Sequence, residues 1–254
     1  MDRQSFAELF VGMQSLVRPL LINVMLNDDD THLINQLPVF GGEPRWQRIT
    51  SLTPKNLQQA FLTLIFPGVK LPLEALSQCD GLVVLLLPAG AGAPANLPKG
   101  VIAWPVQGPL MRGLQARLMT LLVPLLQPGL VMSECEDVSQ ILKAGRTLQH
   151  CIVRNYQPET LAKNITARLP LAEQNSLLVV LLSPFARGLI TSYEEAMEQI
   201  AVQMRPQARL LGGIWQCAIE EPTARVIGLS GFPSDTLTAR HYLATGSLTQ
   251  NVPL

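Results

Sequence analysis

Residues 110–138 read LMRGLQARLMTLLVPLLQPGLVMSECEDV. From Leu110 to Gln127 the stretch is helical in pattern and too apolar for a surface position, so it reads as a buried helix. Pro124 is expected to kink or shorten it, because proline has no N–H to donate and its ring crowds the preceding turn. Pro128-Gly129 then breaks the chain. Ser133, with Glu136 three residues on, forms a capping-box pattern that opens a second helix, with Val138, Ile141, Leu142, Gly145 and Leu148 on one face, running to His150.

On the N-terminal side, residues 6–16 carry apolar positions at helical spacing and residues 20–26 read as a strand followed by the turn Asn27-Asp28-Asp29-Asp30. Thr53-Pro54 is a helix start, a capping hydroxyl before a proline at the first helical position, and Leu57, Phe61, Leu64 and Ile65 form the apolar stripe expected to end at Pro67-Gly68. Residues 81–87 are continuously apolar, as a strand buried on both faces must be, and lead into the loop Pro88-Ala89-Gly90-Ala91-Gly92-Ala93-Pro94. Residues 101–105 form another short strand.

On the C-terminal side, Pro158 opens a helix to about Leu169, and residues 177–182 form a second buried strand. A helix starting at Thr191-Ser192 places Tyr193, Ala196, Met197, Ile200 and Met204 inward. Residues 208–218 and 224–231 read as paired strands, and residues beyond 234 as a polar tail. The whole predicts an α/β fold in two halves: a reduced, parallel-type N-terminal sheet over residues 1–109, a central helix over 110–127, an α/β domain over 128–234, and a tail over 235–254.

Composition narrows the function. Nineteen basic and nineteen acidic residues cancel without long runs of either sign, which disfavours nucleic acid and anionic membranes as partners. Only 15% of the residues are charged while 48% are hydrophobic, so a contact with another protein is expected. The longest apolar run, 118–132, is interrupted by Pro124, Gln127, Pro128 and Gly129 and falls short of the ~20 residues that span a bilayer. Met1-Asp2-Arg3-Gln4 lacks the basic and apolar regions of a signal peptide. Cys79, Cys135, Cys151 and Cys217 show no CxxC spacing and read as free thiols of a cytoplasmic protein. Asp28, Asp29 and Asp30 beside His32 read as a solvated turn, since no second ligand cluster accompanies them, and no metal site is expected. His32, His150 and His241 lack the partners of a nucleophilic site and read as surface or hydrogen-bonded residues.

The segment that begins at Leu110 resembles the FtsZ and tubulin family. That family places a long core helix before a Pro-Gly-Leu-Ile segment, which is similar to Pro128-Gly129-Leu130-Val131 here. Residues 132–138 resemble its Asn-Leu-Asp-Phe-Ala-Asp-Val loop, with Met132 in place of the asparagine. Residues 224–232, Ala-Arg-Val-Ile-Gly-Leu-Ser-Gly-Phe, resemble its closing strand. The likeness covers residues 110–233. It implies that Glu134 and Asp137 stand at the two acidic positions that reach the neighbouring subunit and support GTP hydrolysis.

The family's phosphate loop, Gly-Gly-Gly-Thr-Gly-Ser-Gly, corresponds poorly to residues 88–94. Gly90 and Gly92 remain as cofactor-contact candidates, but Pro88 and Pro94 each remove an N–H donor that phosphate would need. Three functions are therefore expected in order: a non-enzymatic assembly protein, without a cofactor, binding its own copies or an FtsZ-like partner; a divergent polymerising GTPase using Glu134 and Asp137; and a small-molecule enzyme using the crevice near Gly90 and Gly92, since open α/β sheets bind ligands at strand C-terminal ends.

Overall fold

The computed structural model describes residues 20–39, 43–69, 76, 81–88, 91, 97, 98, 100–106, 110–127, 135–184, 189–217 and 219–231. The expected helix at 6–16, Cys79, residues 128–134 and the tail lie outside them. The described strands are β1 (Leu21–Met25), β2 (Arg45–Arg48), β3 (Leu62–Ile65), β4 (Val83–Leu87), β5 (Val101–Pro105), β6 (Thr147–Arg154), β7 (Gln174–Ser183), β8 (Arg209–Gln216) and β9 (Thr223–Ser230). They form a single nine-stranded sheet in the order β2-β1-β3-β4-β5-β6-β9-β7-β8. The described helices are α1 (Pro54–Gln59), α2 (Leu110–Leu126), α3 (Cys135–Lys143), α4 (Pro158–Thr166) and α5 (Leu189–Gln203), with a 3-10 turn over Asp28–Gln36.

The apolar runs become the interior strands because every backbone donor there finds a ladder partner while both faces stay dry. All pairs are parallel except those of β9, which runs antiparallel to both β6 and β7. The strands read as a pair at the C-terminal end are not neighbours: β7 lies between β8 and β9, parallel to the first and antiparallel to the second. β5 and β6 meet at one residue pair, Ala103 opposite Thr147.

Both faces are covered. One apolar cluster gathers α2 and α3 onto Ile22, Val24, Leu64, Val84, Leu86, Ile102 and Trp104 from the first strands and Leu148, Leu178, Val180, Ile227 and Leu229 from the last. The opposite face is served by α4 and α5 beside β6–β9 and by Leu57 of α1 beside β3–β5. α2 is thus the element that spans the join. Pro124 lies inside it without ending it. The helix is closed by tertiary contacts instead: Trp215 Nε1 donates to Gln127 O at 3.0 Å, filling one of the carbonyls that a helix C-terminus leaves open.

Other expectations change as well. Thr53 caps α1 as read, its Oγ1 accepting from Asn56 N at 3.2 Å, but the helix stops at Gln59 and the stripe residues Leu64 and Ile65 belong to β3. A short apolar run fits either period, and pairing with β1 and β4 decides it for the strand. The helix that begins at Cys135 ends at Lys143, and residues 147–154 are strand β6 rather than its continuation. Gly145 makes the break possible: a Cβ there would stand 2.7 Å from Leu229 Cβ and 3.0 Å from that residue's backbone carbon. Finally, Arg45–Arg48 forms an edge strand that its short, charged sequence concealed, and Asp28–Gln36 winds as a 3-10 helix where a simple turn was expected.

Candidate functional site

The first candidate site is built at the start of α3. Val138, Ile141 and Leu142 anchor one side of this helix in the core. Its far end is tied down by polar bonds: Ser176 Oγ donates to Ile141 O at 2.7 Å, Asn175 Nδ2 to Ala144 O at 3.1 Å, and Arg209 Nη1 to Gln140 Oε1 at 2.6 Å. The first turn is consequently fixed in position, and Cys135, Glu136 and Asp137 are exposed on it. Acids here also offset the partial positive charge of the helix start, by roughly 0.3–1 kcal/mol each. Asp137 therefore stands on the surface as read, while Glu134 lies outside the described residues.

The second candidate lies at the C-terminal ends of the parallel strands. Gly90 and Gly92 lie outside the described residues; between them in the sequence, Ala91 N donates to Pro88 O at 3.1 Å. The strand order reverses between β1 and β3, since the chain leaves β1 for β2 on one side and returns to β3 on the other. A doubly wound sheet opens its ligand crevice at such a reversal. The loop carrying Gly90 follows β4, one strand further on. At the reversal itself the loops after β1 and β3 press together: Gly68, at φ +84, has space for a Cβ only 2.9 Å from Asn27 Nδ2. Asp28, Asp29 and Asp30 follow directly in the first turn of the 3-10 helix, with Arg48 paired to Asp28. Neither loop, Leu26-Asn27-Asp28 or Phe66-Pro67-Gly68, is glycine-rich. Three acids at a helix start compete for the N–H groups that a phosphate would use and repel its charge.

A third group was not singled out from the sequence. Thr120 on α2 and His150 on β6 are hydrogen-bonded, Oγ1 to Nε2 at 2.9 Å, and Thr120 Oγ1 also lies 3.1 Å from Ala116 O, to which it donates. One hydroxyl proton serves one acceptor, so His150 Nε2 is the donor of the first bond. Arg225 Nη1 donates to the same Ala116 carbonyl at 3.2 Å. Burial above all, with Arg117 and Arg225 nearby, pushes the His150 imidazole down to about 3. His150 is thus a neutral, hydrogen-bonded residue. The signal that would have found the cluster is Arg117, a charged residue on the same helical stripe as Leu114, Leu118 and Leu121.

Thiol chemistry is weak at the interior cysteines, since burial pushes both Cys151 and Cys217 up to about 11. Among the described residues no group of three His, Cys, Asp or Glu side chains is placed to hold a metal ion, and no helix is long and apolar enough to cross a membrane.

Solved structures share this arrangement of strands and helices. FtsZ from M. jannaschii superposes at a TM-score of 0.55 with 12% identity, over 84% of this chain and 92% of that one. TubZ from Bacillus thuringiensis serovar israelensis, solved as GDP-form protofilaments, matches at 0.55 with 9% identity over 98% of this chain and 93% of its own. An empty FtsZ dimer from M. jannaschii matches at 0.52 with 10% identity, over 85% and 89%. No family model and no curated protein matches the sequence. The chain has a divergent FtsZ/tubulin-like fold.

Proposed function

We propose that the protein is a cytoplasmic, non-enzymatic assembly subunit that binds its own copies or an FtsZ-like partner through residues 132–137, without a cofactor and without efficient GTP hydrolysis. The observation that carries this reading is the contrast between two regions of the molecule. The start of α3 holds Glu136 and Asp137 exposed on a rigid support, suited to a contact with another subunit. The strand reversal, where a nucleotide would sit, is bordered by Asp28, Asp29 and Asp30 instead of a glycine-rich cradle. Two of the similar structures are a dimer and protofilaments, which supports assembly as the use of such a fold.

The test is sedimentation velocity of the full chain, alone and mixed with an FtsZ-like protein, with and without GTP, beside a phosphate-release assay. Concentration-dependent association that persists without nucleotide, and that the double variant Glu134→Lys/Asp137→Lys weakens, supports the proposal. GTP turnover that disappears on Asp137→Ala transfers the assignment to a polymerising GTPase. A chain that stays monomeric and ignores the partner removes the assembly reading and returns attention to the crevice near Gly90 and Gly92.

A further inference from the structure

α3 packs on β7 and β8, and β8 is the last strand of the sheet, so this helix lies at a border of the described fold. Val138, Ile141 and Leu142 are its buried side. Glu136, Gln140 and Lys143, spaced as i, i+4 and i+7, form the opposite stripe, and all three are exposed. Charge along that stripe runs from negative to positive. Arg209, exposed at the start of β8, enlarges the positive part: its Nη1 donates to Gln140 Oε1 at 2.6 Å, and Gln140 Nε2 donates to Glu136 Oε1 at 3.5 Å.

Two observations set this stripe apart from an ordinary solvated face. Among the described residues none of Glu136, Lys143 and Arg209 makes an ion pair, so charges of both signs stand there without a neutralising partner. The stripe is also held in place, because Ser176 and Asn175 bond the carbonyls of Ile141 and Ala144 beneath it. Glu136 and Lys143 are about 10 Å apart along the helix axis, too far to pair within one chain.

A surface whose charge changes sign about its own middle is complementary to itself. With a second copy related by a two-fold axis through Gln140, the two helices run antiparallel and Glu136 of each meets Lys143 of the other. Gln140 then faces its own counterpart, and its amide can both donate and accept. A parallel approach sets like charges together and is repelled. Exposed ion pairs add little strength singly, so their part is to fix the orientation and register of the contact.

We propose that α3 is the seam of a two-fold dimer of this chain, the acidic first turn of each copy pairing with Lys143 and Arg209 of the other. The seam rests on the assembly reading above and names the surface that residues 132–137 meet. A contact of this kind uses the same patch on both copies and closes at two subunits.

Sedimentation velocity of the full chain tests it, together with carbodiimide cross-linking of an equal mixture of unlabelled and heavy-isotope-labelled protein. A monomer–dimer equilibrium is expected, with Lys143 of one isotopic form joined to Glu136 or Asp137 of the other. Lys143→Glu/Arg209→Glu and Glu136→Lys/Asp137→Lys should each weaken the dimer about tenfold or more, because like charges then oppose each other. The chain carrying all four substitutions should dimerise again, since reversing both parts restores the complement. Circular dichroism checks the fold of each, and if Arg209→Glu does not fold, Lys143→Glu and Glu136→Lys serve singly and combined. A wild-type chain that neither self-associates nor binds an FtsZ-like protein removes the assembly reading and the seam with it. Association that the acid reversal weakens and the Lys143 reversal leaves unchanged, growth past the dimer through these residues, or binding to an FtsZ-like protein alone keeps the assembly reading and overturns the seam.

Discussion

At the residue scale, His150 provides the sharpest solution behaviour. Its imidazole titrates near 6.5 in an unfolded chain and is held near 3 in the fold, by burial first and then by Arg117 and Arg225. Between those values the unfolded chain binds more protons. Stability is therefore complete above pH 6.5 and is lost as the pH falls toward 3, by at most about 1.4 kcal/mol per pH unit from this group. Urea unfolding at pH 5 and pH 7 in a buffer free of phosphate and carboxylate measures the slope. His150→Gln, which can still donate to Thr120, should flatten it; an unchanged slope would assign the acid sensitivity to other groups. Gly145 is a second residue with a definite outcome. Gly145→Ala drives a methyl group into the backbone of Leu229, which cannot yield as a side-chain end would, and should cost about 1–3 kcal/mol in the same unfolding measurement.

At the scale of elements, α2 carries the largest expectation. Leu118 is fully buried in the cluster that both parts of the sheet share. Leu118→Ala should cost about 2–5 kcal/mol, read from the denaturation midpoint at constant slope, and a loss within error would mean that the helix is not packed as described. This helix was legible in the sequence because seventeen residues of continuous apolar pattern leave few alternatives. The buried strands β4 and β7 were legible for the same reason.

Short elements were not. Leu-Thr-Leu-Ile at β3 satisfies a helical stripe and a strand equally, and only neighbours brought from far along the chain decide between them. β6 was hidden because Leu148 continues the spacing of Val138 and Ile141, although Gly145 interrupts the helix between them. Of the candidate site residues, Asp137 was singled out by the resemblance of residues 132–138 to the FtsZ/tubulin loop, and the structure shows it exposed. The Arg117 and His150 cluster could not be found in that way, since it is assembled by α2 crossing strands whose order no local pattern contains.

At the scale of the whole molecule, the proposed assembly would set the start of α3 of one subunit against a surface of the next. The proposed contact is partly electrostatic through Glu134 and Asp137, so raising the salt from 50 to 500 mM should weaken wild-type association while leaving the Glu134→Lys/Asp137→Lys variant much less affected. Sedimentation velocity at both salt concentrations checks this, and association insensitive to salt would point to an apolar contact elsewhere. Phosphate release in the presence of GTP should stay at background throughout.

The single residue pair that joins β5 to β6 has a consequence for how the protein breathes. Ala103 N donates to Arg146 O at 2.7 Å, and Ala103 opposite Thr147 is the whole of the described register at that seam, against eight pairs between β6 and β9. A sheet so narrowly stitched opens there first if it opens partway. Amide deuterium uptake should then separate into two kinetic classes, one for β1–β5 and one for β6–β9. The amides of α2 should follow the slower class, because that helix is sewn to both sides and comes free only with the last of them.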